Sequence, residues 1–115
     1  MTVKIYHNPR CTKSRLTLSI LEEKGVIFEV IEYLKKPPTT EELKALLKDL
    51  NIDARMLMRT HEAPYKDNNL DDKSLSEEDL IQAMINNPIL IERPIVRTKK
   101  GVVIGRPPEN ILAII

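Results

Sequence analysis

The sequence predicts an α/β layer fold with a small mixed sheet, running β-α-β, several helices, then β-β-α. Three observations predict it. Short β-branched runs lie at residues 3–6 and again at 95–98 and 102–104, the last two separated by a Gly-containing turn. Between the first run and a second at 26–33 lies a helical pattern, and the whole spans roughly thirty residues, the size of a right-handed βαβ unit with parallel strands. The 115 residues suit one compact unit, against about 100–200 residues per domain.

Each element has a local reason. The first strand ends at His7-Asn-Pro-Arg10, because an Asn-Pro pair marks a turn. From Thr12 to Lys24, Leu16 pairs with Ile20 and Leu18 with Leu21 at helical spacing, and Gly25 follows where a left-handed residue ends a helix. Lys36-Pro-Pro38 breaks the chain, and Thr39-x-x-Glu42 is a capping box for a helix with the stripe Leu43, Leu46, Leu47 and Leu50. Asp53 caps a short helix through about Arg59, ahead of a break at Pro64. The acidic stretch 67–79 reads as a solvated, partly loop-like face. Ser76 caps a helix to about Asn86, with Leu75 and Leu80 as a staple and Leu80, Ile81, Met84 and Ile85 as its core face. Pro107-Pro108 opens a last amphipathic helix.

Composition narrows the function. A formal net charge of +1, no Trp and only four other aromatic residues argue against nucleic acid as a partner. Apolar runs are too short for a membrane span, and the start lacks the apolar stretch of a secretory signal, so a cytoplasmic protein is expected. Two histidines, His7 and His61, with one cysteine in no ligand spacing, lead us to expect no metal site. The single cysteine excludes an intrachain disulfide.

Cys11 stands where the first strand has ended and the first helix begins. In an open α/β sheet ligands bind at such strand ends, and a helix N-terminus favours thiolate over thiol. His7 is placed to donate to the sulfur or charge-pair with it, and Ser14 brings a hydroxyl one helical turn on. Arg10, Lys13 and Arg15 surround the thiol in sequence. A second constellation is basic: residues 93–106 hold Arg93, Arg97, Lys99, Lys100 and Arg106 with no acid. Lys99 and Lys100 belong to a hairpin tip. Arg93 and Arg106 each precede a proline, which makes both bonds candidate cis peptides. Their forked guanidinium groups suit a tetrahedral oxyanion. Spacing alone leaves open whether they converge on Cys11.

Together these motifs resemble the glutaredoxin-coupled arsenate reductases, the ArsC family, in a shorter form. Tyr6-His-Asn-Pro-Arg-Cys11 with Ser14 resembles the active-site loop. Ala54-Arg-Met-Leu-Met-Arg59 with Ala63-Pro-Tyr65 resembles the second motif, and Asn87-Pro-Ile-Leu-Ile-Glu-Arg-Pro-Ile-Val96 with Gly105-Arg-Pro107 the third. The likeness covers essentially the whole chain. It implies a thioredoxin-like fold over residues 1–115 as one domain, with a helical insertion at about 37–90 and a cis Pro94. It also implies Cys11 as the nucleophile toward arsenate, with His7 and Ser14 supporting it. Arg59, Arg93 and Arg106 then hold the oxyanion, with Arg10 a further candidate beside the thiol. One departure is Thr12-Lys13, where many members have Gly directly after the cysteine.

The reaction so implied is reduction of arsenate to arsenite with no bound cofactor. One thiol starts such a reduction but cannot finish it, so an external thiol is required; the resemblance names glutathione as co-substrate and glutaredoxin as partner. Two other readings compete. A Spx-type regulator binding RNA polymerase needs a Cys-x-x-Cys pair, whereas this chain has Cys-Thr-Lys-Ser. A glutathione-linked thiol oxidoreductase acting on another substrate shares the same chemistry.

Overall fold

Four short strands form one mixed sheet in the computed structural model, whose described residues are 2–115. They are β1 (Val3–Tyr6), β2 (Phe28–Ile31), β3 (Ile95–Thr98) and β4 (Gly101–Ile104), in the spatial order β2-β1-β3-β4. β1 runs parallel to β2, with Val3 opposite Phe28 and Tyr6 opposite Ile31. It runs antiparallel to β3, Ile5 facing Val96, and β3 and β4 close as the expected hairpin. The chain divides into two compact units, Met1–Lys36 with Arg93–Ile115, and Pro37–Glu92.

The first unit carries the sheet and helix α1 (Thr12–Glu23). Its core joins Ile5, Leu21, Val96, Ile111 and Ile114, and each such side chain contributes about 1.5–3 kcal/mol when fully buried. The buried face of α1 differs from the leucine pattern. Ser14, Thr17 and Leu21 are buried, while Leu16 is 51% exposed. Two small hydroxyl residues permit a closer approach than leucine, and Thr17 satisfies its hydroxyl on the Lys13 carbonyl at 2.8 Å. Gly105 belongs to the same tight contact. A Cβ there would meet Thr17 Oγ1 at 2.7 Å and Pro94 Cγ at 2.8 Å. Gly25 ends the helix region with φ +66°, as a residue without Cβ does readily. The second strand is shorter than the β-rich run at 26–33. The last helix, Pro108–Ala113, is 3₁₀ rather than α: the Asn110 N–H bonds back only three residues, to the Pro107 carbonyl.

The second unit is helical. In α2 (Thr40–Leu50) the expected capping box forms between Thr39 and Glu42, and Leu43, Leu46 and Leu47 are buried. Asp53 caps α3 (Ala54–Leu57) by accepting from the Met56 N–H at 2.9 Å. This helix stops before Arg59, because Met58 pairs with Ile91 and the Arg59 N–H donates to the Leu90 carbonyl. Pro64 does not end a helix; it lies in the first turn of α4 (Ala63–Asp67), where its missing N–H costs little. Residues 67–79 form turns that are mostly exposed, with Leu70 buried. In α5 (Glu77–Asn86) Ser76 and Asp79 complete a second capping box, and Leu80, Ile81 and Met84 face inward. No helix among the described residues is long and apolar enough to cross a membrane.

Candidate active site

Cys11 caps α1 in extended backbone geometry, at φ −92° and ψ 124°. A cap residue directs its side chain at the unpaired N–H groups of the first turn, usually to accept from them. The Cys11 sulfur makes no conventional capping bond, yet its surroundings still favour the anion. Burial by itself pushes the thiol pKa up. That is outweighed by the Ser14 N–H, by the Arg93 guanidinium through a hydrogen bond and its charge, and by the Lys13 N–H, so the pKa lies below the ordinary thiol value. Cys11 is half-buried and reachable from solvent. A stabilised, accessible thiolate is what nucleophilic chemistry at sulfur requires.

The loop before Cys11 is held by hydrogen bonds that short-range pattern reading did not supply. Asn8 is buried and bonded three ways. Its N–H donates to Ser14 Oγ at 3.1 Å, its carbonyl accepts from the Cys11 N–H at 3.0 Å, and its Oδ1 accepts from the Arg10 N–H at 3.0 Å. The last contact is an Asx-turn, the one signal of this role visible in sequence. His7 Nδ1 lies 2.6 Å from Ser14 Oγ, and the His7 N–H donates to the Ile31 carbonyl of β2. Burial lowers the His7 pKa, with Glu32 opposing and Arg15 assisting. Burial thus works against the charged ring, and Nδ1 is turned to Ser14. Ser14 lies within the same group: its hydroxyl serves His7 and Asn8, and its backbone N–H serves Cys11.

The arginines separate into distinct settings. The Arg93–Pro94 and Arg106–Pro107 bonds are both cis, as the X-Pro positions suggested. Arg106 donates to the Arg93 carbonyl at 3.2 Å, joining the two segments, while the Arg93 side chain reaches the thiol. Arg10 is exposed. Arg59 belongs to the second unit and is held there by two carboxylates. Its Nε donates to Glu62 at 3.0 Å and its Nη1 to Glu92 at 2.8 Å, and Nη2 lies 2.9 Å from His61 Nε2. Burial alone would lower its pKa, but the two carboxylates raise it above the usual arginine value. Neither Glu62 nor Glu92 stood out in the sequence as a partner. No group of three or more His, Cys, Asp or Glu among the described residues is arranged to hold a metal ion.

Known proteins share this architecture. The ArsC family pattern matches residues 6–114. An arsenate reductase of Haemophilus influenzae is 47% identical over 116 residues, covering 100% of both chains. The Escherichia coli K12 protein YfgD, itself uncharacterised, is 57% identical, covering 98% of this chain and 96% of its own. The solved structure of the arsenate reductase from Vibrio cholerae aligns with a TM-score of 0.95 at 48% identity, over 100% of this chain and 98% of that one. The four-strand mixed sheet is thus the thioredoxin-like sheet of those structures. A thiol capping the helix after β1, a cis proline preceded by the arginine that reaches it, and likeness along the full length agree: the chain belongs to the ArsC family.

Proposed function

We propose that this protein reduces arsenate to arsenite, with Cys11 as nucleophile and an external thiol as reductant. The observation that carries the reading is the lowered pKa of an accessible cysteine held by the Ser14 and Lys13 N–H groups and Arg93. The same groups suit a tetrahedral anion, since backbone N–H donors and a forked guanidinium offset its charge without reorganising. Relatives named arsenate reductase at 45% and 47% identity support this choice of anion.

In the proposed sequence the Cys11 thiolate attacks As(V) and one arsenate oxygen leaves as water, giving a sulfur–arsenic bond. A glutathione thiolate then attacks the Cys11 sulfur. The electron pair of the broken bond stays on arsenic, which departs as arsenite, and the two sulfurs are left as a mixed disulfide. Glutaredoxin reduces that disulfide and restores the thiol. Arg93 and Arg106 hold the oxyanion, and His7 and Ser14 keep the loop in place. The chain has one cysteine and cannot supply the second thiol itself.

The test is arsenate-dependent NADPH oxidation in the presence of glutathione, glutaredoxin and glutathione reductase. Activity is expected in the unaltered protein and none above background in Cys11→Ser. Turnover persisting in that variant overturns the nucleophile assignment. A well-folded protein that consumes no NADPH with arsenate overturns the substrate.

A further inference from the structure

A cleft of about 310 Å³ opens beside the thiol loop in the first unit, at the lower end of the roughly 300–1,000 Å³ range of small-ligand sites. One wall is the loop itself, with His7 and Arg10; the other is the segment after β2, with Glu32, Leu34 and Lys35. The walls are joined where the His7 N–H donates to the Ile31 carbonyl at 2.8 Å. The second wall is a turn closed by the Lys35 and Lys36 N–H groups on the Glu32 carbonyl, each at 2.9 Å. At the cleft, therefore, backbone hydrogen bonds build both sides.

Its charges form a pattern. Arg10 and Lys35 are cations with exposed side chains, one on each wall, and Glu32 is the single acid of the lining. Lys35 and Glu32 approach only to 3.8 Å, with the Lys35 side chain 80% exposed, so their mutual attraction is weak and either charge can turn to a ligand. Two cations and one anion beside an apolar Leu34 complement a small molecule with two carboxylates, one ammonium and a short aliphatic body. Arg10 is also the residue directly before the nucleophile, held by the Asn8 side chain.

We infer that this cleft seats the small zwitterionic peptide thiol that completes the reaction, with Arg10 and Lys35 taking its carboxylates and Glu32 its ammonium group. The inference rests on the reading that an external thiol resolves Cys11. It assigns Arg10 to the thiol co-substrate and leaves the oxyanion to Arg93 and Arg106. When the reagent is a disulfide, the same seat operates in reverse. The Cys11 thiolate attacks one sulfur of oxidised glutathione, a Cys11–glutathione disulfide forms, and the other glutathione leaves as thiolate.

That reverse step supplies a test without arsenate. The rate of disulfide formation at Cys11 is followed by mass spectrometry with oxidised glutathione and, separately, with the uncharged bis(2-hydroxyethyl) disulfide. The ratio of the two rates measures recognition apart from thiol reactivity. In the double variant Arg10→Glu, Lys35→Glu the ratio is expected to fall about three- to tenfold, the scale of two exposed ion pairs. Glu32→Gln should lower it by a smaller factor. Both cations are exposed, so the fold should survive, and far-ultraviolet circular dichroism checks it. A ratio unchanged in the double variant overturns the inference. An unaltered protein that shows this preference but reduces no arsenate overturns the function proposed above and leaves the cleft assignment standing.

Discussion

Arg93 and Arg59 bring the same guanidinium group into opposite surroundings. Arg93 stands beside a cis proline in the sheet unit and turns its charge on the Cys11 sulfur. Arg59, in the helical unit, is gripped by Glu62 and Glu92 and keeps only 11% of its side-chain surface exposed. The first changes the protonation of a neighbour; the second has its own charge balanced by neighbours. Two arginines that family resemblance assigns to one anion thus differ in how their charge is held. Arg93 directs its field at the Cys11 sulfur, whereas the charge of Arg59 is already taken up by carboxylates of its own unit.

The difference is breakable by mutation, most strongly at Arg93. Arg93→Ala removes a charged hydrogen bond to the thiolate, worth about 1.5–3 kcal/mol. The pH profile of Cys11 alkylation by iodoacetamide should move upward, and thiolate reactivity at neutral pH should fall about tenfold or more. An unmoved profile would show that the helix N–H groups suffice. Gly105→Ala tests the packing behind the site, where the new Cβ is crowded by Thr17 and Pro94. Overpacking of this kind costs about 1–3 kcal/mol, read as a lower midpoint in urea unfolding. A midpoint equal to that of the unaltered protein would mean that Thr17 swings aside without cost.

Glu92→Gln addresses the other side of the comparison. It should lower stability by about 1 kcal/mol, because the pair is partly solvated, and should leave the alkylation profile of Cys11 in place. A shifted profile would contradict the separation of roles drawn between the two arginines. The smallest effect belongs to His7. Its folded pKa lies below 6.5, so as pH falls through 6.5 the unfolded chain takes up a proton that the folded one refuses. Stability contributed by the neutral ring is therefore full above that pH and declines below it, down to the folded pKa. Thermal unfolding from pH 7.5 to 5 should show the decline, and His7→Gln should flatten it. An equally steep decline in the variant would assign it to other groups.

The legible parts of this fold were those in which a residue acts on its immediate neighbours. Thr39 with Glu42 formed the expected box, and Ser76 and Asp53 cap as expected, on the residues three along, apart from the shortness of the helix after Asp53. The hairpin and Gly25 follow the same rule. Pattern reading failed at α1, where Leu16 faces water and Thr17 faces inward. Apolar spacing ranks residues by hydrophobicity, but the inner face was chosen by how closely Gly105 and Pro94 approach the helix. Of the candidate site, Cys11 and its place at the helix start were readable from chain order. The neutral state of His7, the buried Asn8 and the two carboxylates on Arg59 were not.

By itself, then, the sequence determined the order of elements, the caps, the prolines open to a cis bond and the presence of one thiol at a strand end. One thiol also excludes an intrachain disulfide, since a disulfide needs two sulfurs. Tertiary structure decided which groups touch that thiol. Arg93 is distant from Cys11 along the chain, and only the pairing of β1 with β3 brings their segments together. Charge effects fall with distance in space, which chain separation does not report. Sequence placed the thiol; folding chose its electrostatic partners.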